Sequence, residues 1–166
     1  MDKEAANVKQ EISPRKGIIH LILVHSYLTF FYAIILGLIF DLLMPTKIFN
    51  NPIFQYVGIL MIMGGTMIIY WAQWSSRKAQ KIYTNNVSVE AFQYGAYKYL
   101  RSPTYIGLFI MTMGLGFVID SLFSVIFVMI AHLITKFVSQ KQEEKILIKK
   151  YGQIYIDYKK KVKNWL

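Results

Sequence analysis

At 166 residues the chain is the length of one domain. It is 55% hydrophobic and 16% aromatic, above the roughly 45–50% apolar share usual for soluble domains, which argues against a small soluble fold. The formal net charge of +10 on so apolar a chain fits the anionic surface of a membrane rather than nucleic acid. With no cysteine, disulfides, thiolate nucleophiles and cysteine metal sites are excluded.

Residues 1–17 read as a polar lead. The first apolar segment covers about 18–44. It is too long for the h-region of a signal peptide, about 7–15 residues, and lacks a small-x-small cleavage site. Pro45 and Asn50-Asn51-Pro52 mark a short outer loop. The second segment, 54–74, carries Gly58, Gly64 and Gly65, small residues suited to close helix packing in a membrane. Residues 75–100 mix lysine, asparagine and aromatics and read as interfacial helix and loop. The third segment, 105–119, and the fourth, 121–138, are separated only by Asp120-Ser121.

A spanning helix needs roughly 20 apolar residues. The first two segments satisfy this, and the shorter pair is expected to form a full hairpin. Ser121 is placed to cap the fourth helix. No proline or glycine follows until Gly152, so one helix over 122–151, roughly 45 Å long, is expected. Gly152 then breaks it, and a last short helix follows. The expected fold is all-α: an integral membrane bundle of four transmembrane helices with a cytoplasmic C-terminal helical extension over 139–162, all in one domain, 1–166.

Charge sets the expected orientation. Of the 19 basic residues, Lys47 alone lies on the side of the outer turns if four helices span. The positive-inside rule then puts both termini in the cytoplasm, and the expected location is the cell membrane of a prokaryote.

Two polar blocks bracket the apolar hairpin. In the first, Ser102 is a good N-cap and Pro103 a good first helical residue. The block can be an interfacial helix start, with Arg101 on lipid phosphate and the tyrosines in an aromatic belt. It can equally be an anion site, with Arg101 and the N–H groups of Thr104 and Tyr105 facing one carboxylate or phosphate. In the second block, Lys141 and Glu144 form the one carboxylate–lysine pair at i,i+3 spacing. Glu143 has no basic neighbour at either helical spacing, which marks it as the carboxylate to turn inward. Their side chains point about 100° apart, so only one is expected to face a pocket easily. Tyr155 and Tyr158 are expected to pack. His25 and His132 are single histidines on separate spans, with a backbone carbonyl as the simple partner, and no metal site is expected. No Gly-rich phosphate loop occurs.

The first block reads Gly95-Ala96-Tyr97-Lys98-Tyr99-Leu100-Arg101-Ser102-Pro103-Thr104-Tyr105-Ile106-Gly107. After the hairpin come Glu143-Glu144, Leu147, Tyr151-Gly152, Tyr155 and Tyr158. Together these resemble the isoprenylcysteine carboxyl methyltransferase-like superfamily, which also embraces phospholipid N-methyltransferases. Its pattern runs G-P-Y-R-Y-x-R-H-P-x-Y-x-G, a hydrophobic hairpin, then E-E-x-x-L-x-x-x-F-G-x-x-Y-x-x-Y. The chain departs from it at Ala96 for proline, at Ser102 for histidine, and at Lys163-Asn164 for a proline-arginine pair.

The resemblance implies S-adenosylmethionine bound at the cytoplasmic ends of the last helices and a lipophilic acceptor, a small molecule or a lipid, entering from the bilayer. By motif position Tyr97, Arg101, Ser102, Pro103 and Tyr105 would line the cofactor site, with Glu143 or Glu144 closing it. Because residues suited to act as bases are few, a carboxylate or an already acidic hydroxyl is the first expectation for the acceptor. The rivals are a phospholipid N-methyltransferase, a nicotinamide-dependent reductase of the sterol-reductase type, and a degenerate scaffold without activity, which Ser102 would favour.

Overall fold

The computed structural model describes residues 2–44, 51–82 and 89–162, with side chains from residue 22 onward except at 80, 89 and 91. Every regular element among them is helical. These are α1 (Asp2–Leu43), α2 (Pro52–Ile82), α3 (Val89–Phe92), a 3₁₀ turn (Gly95–Lys98), α4 (Pro103–Ile119), α5 (Leu122–Ile134), a π segment (Thr135–Gln140), α6 (Lys141–Tyr151) and α7 (Gln153–Lys161). The polar lead expected over 1–17 is continuous with α1. Pro45, Asn50, Lys163 and Asn164 lie outside the described residues.

Three helical stretches are long and apolar enough to cross a membrane: Ile22–Leu43, Pro52–Ala79 and Leu122–Tyr151. The fourth apolar helix, α4, has 17 residues, about 26 Å at 1.5 Å per residue, against roughly 30 Å of hydrocarbon. This helix, shorter than the three membrane-length stretches, is the central one. It packs on α1, α2 and α5 and buries Tyr105, Ile106, Gly107, Leu108, Thr112 and Gly114. The main apolar core joins Leu108 of α4 to Phe30 and Ala33 of α1 and to Val128 and Ala131 of α5. Large apolar side chains on α1 and α2, such as Phe31, Leu60 and Met67, stay exposed, as lipid-facing residues do.

Two reciprocal glycine contacts hold α2 against α4. A Cβ on Gly65 would fall 2.6 Å from the Gly107 carbonyl oxygen, and one on Gly107 would fall 2.8 Å from that of Gly65. Gly58 and Gly114 repeat the contact, with 2.7 and 2.6 Å to each other's carbonyl oxygen. The pairs are spaced identically along both helices and run in opposite directions, so the helices are antiparallel. Only a missing side chain lets the backbones come so near. Gly64, grouped with its neighbours on sequence, has open space around it and takes no part. Its side of α2 points away from α4.

The α4–α5 turn is short because its backbone closes on itself. Asp120 adopts the left-handed conformation (φ 60°). Its N–H bonds the Phe117 carbonyl at 3.3 Å and that of Ser121 bonds Gly116 at 3.0 Å, the two bonds of a Schellman motif. Ser121 Oγ then accepts from the Ser124 N–H at 2.9 Å, capping α5. The expected helix over 122–151 is present as one run, with the unexpected π segment inside it. Gly152 (φ 57°) ends it.

The glycine contacts make a directional prediction. Gly65→Val places branched carbons against the Gly107 backbone and should destabilise the folded protein by about 1–3 kcal/mol, the usual cost of overpacking. Gly64→Ala should be neutral or slightly stabilising, since Ala is the better helix former. Thermal unfolding in detergent measures both, and equal midpoints for the two variants would contradict the packing.

Candidate functional site

The first polar block is fixed from below by α2. Gly95 has φ 59° and sits over Ser75, where a Cβ would collide with the serine side chain. The Ser75 hydroxyl accepts the Ala96 N–H at 3.2 Å. That seat sets the 3₁₀ turn and delivers Tyr97, whose hydroxyl meets the Thr104 and Ser76 side chains. Burial, and next the nearby Glu143 carboxylate, push the Tyr97 phenol above its ordinary range, against the opposing effect of those two bonds. Tyr97 therefore stays protonated near neutral pH.

From there the chain enters α4. Pro103 is the first helical residue and Ser102 the cap position, but the Ser102 hydroxyl makes no capping bond. Arg101, just before it, is 12% exposed, and its Nη1 pairs with Glu144 Oε1 at 3.2 Å. Arg101 Nε is buried without a partner among the described residues. One turn further on, the Tyr105 hydroxyl donates to Glu143 Oε2 at 2.8 Å. Two residues four apart at the start of α4 thus meet two adjacent carboxylates of α6.

This corrects the expectation that only one carboxylate easily faces inward. A 100° separation on α6 suits two partners on successive levels of α4 rather than one pocket wall. The expected Lys141–Glu144 pair is absent. Glu144 instead binds Arg101 and Lys159 Nζ, the latter at 2.7 Å, while Lys141 lies over the Phe137 ring at 5.2 Å. Nor is Glu143 unpaired, since it holds the Tyr105 hydroxyl.

The last helix closes the arrangement from outside. Tyr155, Tyr158 and Val162 form a small core with Phe92, Leu147, Ile148 and Tyr151, so the two tyrosines pack as expected. The Tyr158 hydroxyl also donates to the Tyr97 carbonyl at 2.8 Å, tying α7 to the 3₁₀ turn. Burial raises both the Tyr155 and the Tyr158 phenols, helped at Tyr155 by the charges of Glu144 and Glu143. His132 stacks on Phe109 with 4.2 Å between ring centroids, and its Nδ1 has no partner among the described residues. The expected carbonyl bond is therefore not made. Among the described residues no group of histidines and carboxylates suits a metal ion.

Of the residues singled out in the sequence, Tyr97, Arg101, Tyr105, Glu143 and Glu144 are joined in one local network. Ser102 and Pro103 sit at its edge as the helix start. Sequence reasoning missed Ser75, Ser76 and Lys159, and gave Thr104 a backbone role only. Lys159 heads a run of three lysines, and nothing local marks it from the other two. A cavity of about 160 Å³ lies beside the network, lined by Arg101, Lys136, Phe137, Gln140, Lys141 and Glu144.

The model of the phospholipid methyltransferase family matches residues 53–154. The chain belongs to this family. The matched stretch starts in α2 and contains the first polar block, the hairpin and the second block as far as residue 154, short of Tyr155 and Tyr158. It therefore includes the glycine contacts, the Arg101–Glu144 pair and the Tyr105–Glu143 bond. No curated protein and no solved structure matches the chain. Family membership agrees with the superfamily resemblance of the two blocks and identifies a membrane methyltransferase fold.

Proposed function

We propose that the chain transfers a methyl group from S-adenosylmethionine to the amine of a membrane phospholipid at the cytoplasmic face. One observation supports this most: Arg101 and Tyr105 at the start of α4 meet Glu144 and Glu143 of α6. The amino-acid end of the cofactor carries a carboxylate and an ammonium group. The donor set fits it. Arg101 has a buried Nε without a partner and can take a carboxylate, while Glu144 stands beside it for the ammonium. When bound, the cofactor supplies an electrophilic methyl group on a sulfonium.

The chain's own residues then have three tasks. Arg101 and Glu144 orient, and most of the rate advantage of such a reaction comes from alignment. Tyr97, held protonated beside Thr104 and Ser76, helps close the site. Glu143 accepts a proton. Its Oε2 holds the Tyr105 hydroxyl, and Oε1 has no partner among the described residues. An ammonium acceptor must lose a proton to become nucleophilic, and Glu143 is the carboxylate assigned to take it in this reading. This removes the shortage of bases that made a carboxylate or an already acidic hydroxyl the first expectation from sequence. A carboxylate acceptor of the isoprenylcysteine kind, which needs no base, is the second reading.

The proposed topology has four spans, α4 included, with both ends cytoplasmic. Burial of α4 among longer helices supports counting it, because a short helix covered by protein need not match the bilayer alone. Cysteines placed at Asn51 and Lys160 should differ on intact cells, with an impermeant reagent labelling Asn51→Cys only. Labelling of Lys160→Cys alone would reverse the orientation.

Methyl transfer is tested with purified protein, radiolabelled S-adenosylmethionine and a lipid extract. Label should enter a lipid and, after mild base, remain non-volatile on the deacylated headgroup, as an N-methyl group does. A methyl ester would release it as methanol and favour the second reading. Glu143→Gln should lower the rate by about a hundredfold, the scale of lost acid–base catalysis. Unchanged turnover in that variant would remove Glu143 from the chemistry, and no label in any lipid would refute the enzyme.

A further inference from the structure

The π segment Thr135–Gln140 reorders the charges around the cavity beside the site. On a regular α-helix residues five apart point about 140° away from each other. A π turn closes i to i+5 and brings them to one side, and such turns concentrate at functional sites. Lys136 and Lys141 are five apart, and both line the cavity. Neither is ion-paired among the described residues. The one carboxylate in the lining, Glu144, is already bound by Arg101 and Lys159. The lining therefore carries an excess of positive charge that calls for an anion.

Position decides which anion. Phe137 lines the cavity, and it and its helix neighbours Leu133, Ile134 and Val138 are all exposed apolar residues of a membrane-length helix. An amphiphile with its charge in the cavity would lay its chains on that surface. Lysines whose stems run along apolar surface toward an interface are arranged for this. We propose that Lys136 and Lys141, brought together by the π segment, hold the phosphate of a membrane-lipid headgroup, with the acyl chains against Leu133, Ile134, Phe137 and Val138. The proposal rests on the methyltransferase reading for the position of the bilayer. It extends that reading by giving the headgroup phosphate its own residues, outside the two polar blocks.

The test is native mass spectrometry of the full chain in detergent, titrated with dioleoyl-phosphatidylglycerol and without S-adenosylmethionine. Dioleoylglycerol is the phosphate-free control, Lys160→Gln the charge control, and inorganic phosphate and S-adenosylmethionine are the competitors. One saturable phosphatidylglycerol is expected. Its affinity should fall about tenfold or more in Lys136→Gln and in Lys141→Gln, as loss of a charge-assisted bond implies, and Lys136→Arg should restore it. Lys160→Gln should bind as the wild type does, and dioleoylglycerol should show no saturable site. Equal weakening in Lys160→Gln would reduce the effect to overall charge and overturn the proposal. So would undiminished binding in both Lys136→Gln and Lys141→Gln. Displacement by inorganic phosphate at matching concentration would make the site one for a free anion, and displacement by S-adenosylmethionine would give the cavity to the cofactor. Lipid binding as expected, with no methyl transfer by the same preparation, would sink the enzymatic reading and leave the subsite standing.

Discussion

A central helix too short to cross the bilayer alone governs the rest of the structure. Backbone polar groups in hydrocarbon must be satisfied within the segment or covered by protein. α4 meets this by lying among α1, α2 and α5, and reciprocal glycines at 58, 65, 107 and 114 let α2 approach its backbone. The consequence is chemical. If α4 spans as proposed, a helix about 26 Å long in roughly 30 Å of hydrocarbon would leave its polar N-terminal block close to the acyl-chain boundary. On the proposed four-span topology, Arg101 and Tyr105 would lie where a water-soluble cofactor and a lipid headgroup can meet.

Such a position is costly for charge, and the network offsets the cost by pairing. Glu144 lies between Arg101 and Lys159, and Glu143 holds a phenol. Two adjacent carboxylates in a low-dielectric setting repel each other unless both find donors. Removing one partner would leave the other charge poorly solvated. The same reasoning explains why α7 folds back over the 3₁₀ turn. Its aromatic core with Phe92 holds Lys159 over Glu144 and Tyr158 on the Tyr97 carbonyl, so packing supplies what the electrostatics need.

Much of this was legible in the sequence, for reasons that differ by element. The long apolar runs, the Ser121 cap and the Gly152 break depend on local chemistry and were readable as such. Motif spacing drew Arg101, Tyr105, Glu143 and Glu144 together because both blocks flank one hairpin, whose turn fixes which ends are neighbours. What depends on a partner's face was not readable. Gly64 and Gly65 are indistinguishable until α4 lies against one of them. The pairing of Glu144 with Arg101 and Lys159 rather than Lys141 needed α4 and α7 in place. The π segment Thr135–Gln140 contains no proline or glycine, so no residue type announced it, although it puts Lys136 and Lys141 on one cavity.

The central claim is that the start of α4 and the two carboxylates of α6 form a cofactor site. The most direct measurement is calorimetric binding of S-adenosylmethionine to the detergent-solubilised protein, wild type beside Arg101→Ala. The account predicts binding by the wild type and a loss of about 1.5–3 kcal/mol in the variant, the size of a hydrogen bond to a charged group. Equal affinity in the two proteins, or no binding by the wild type, would contradict it.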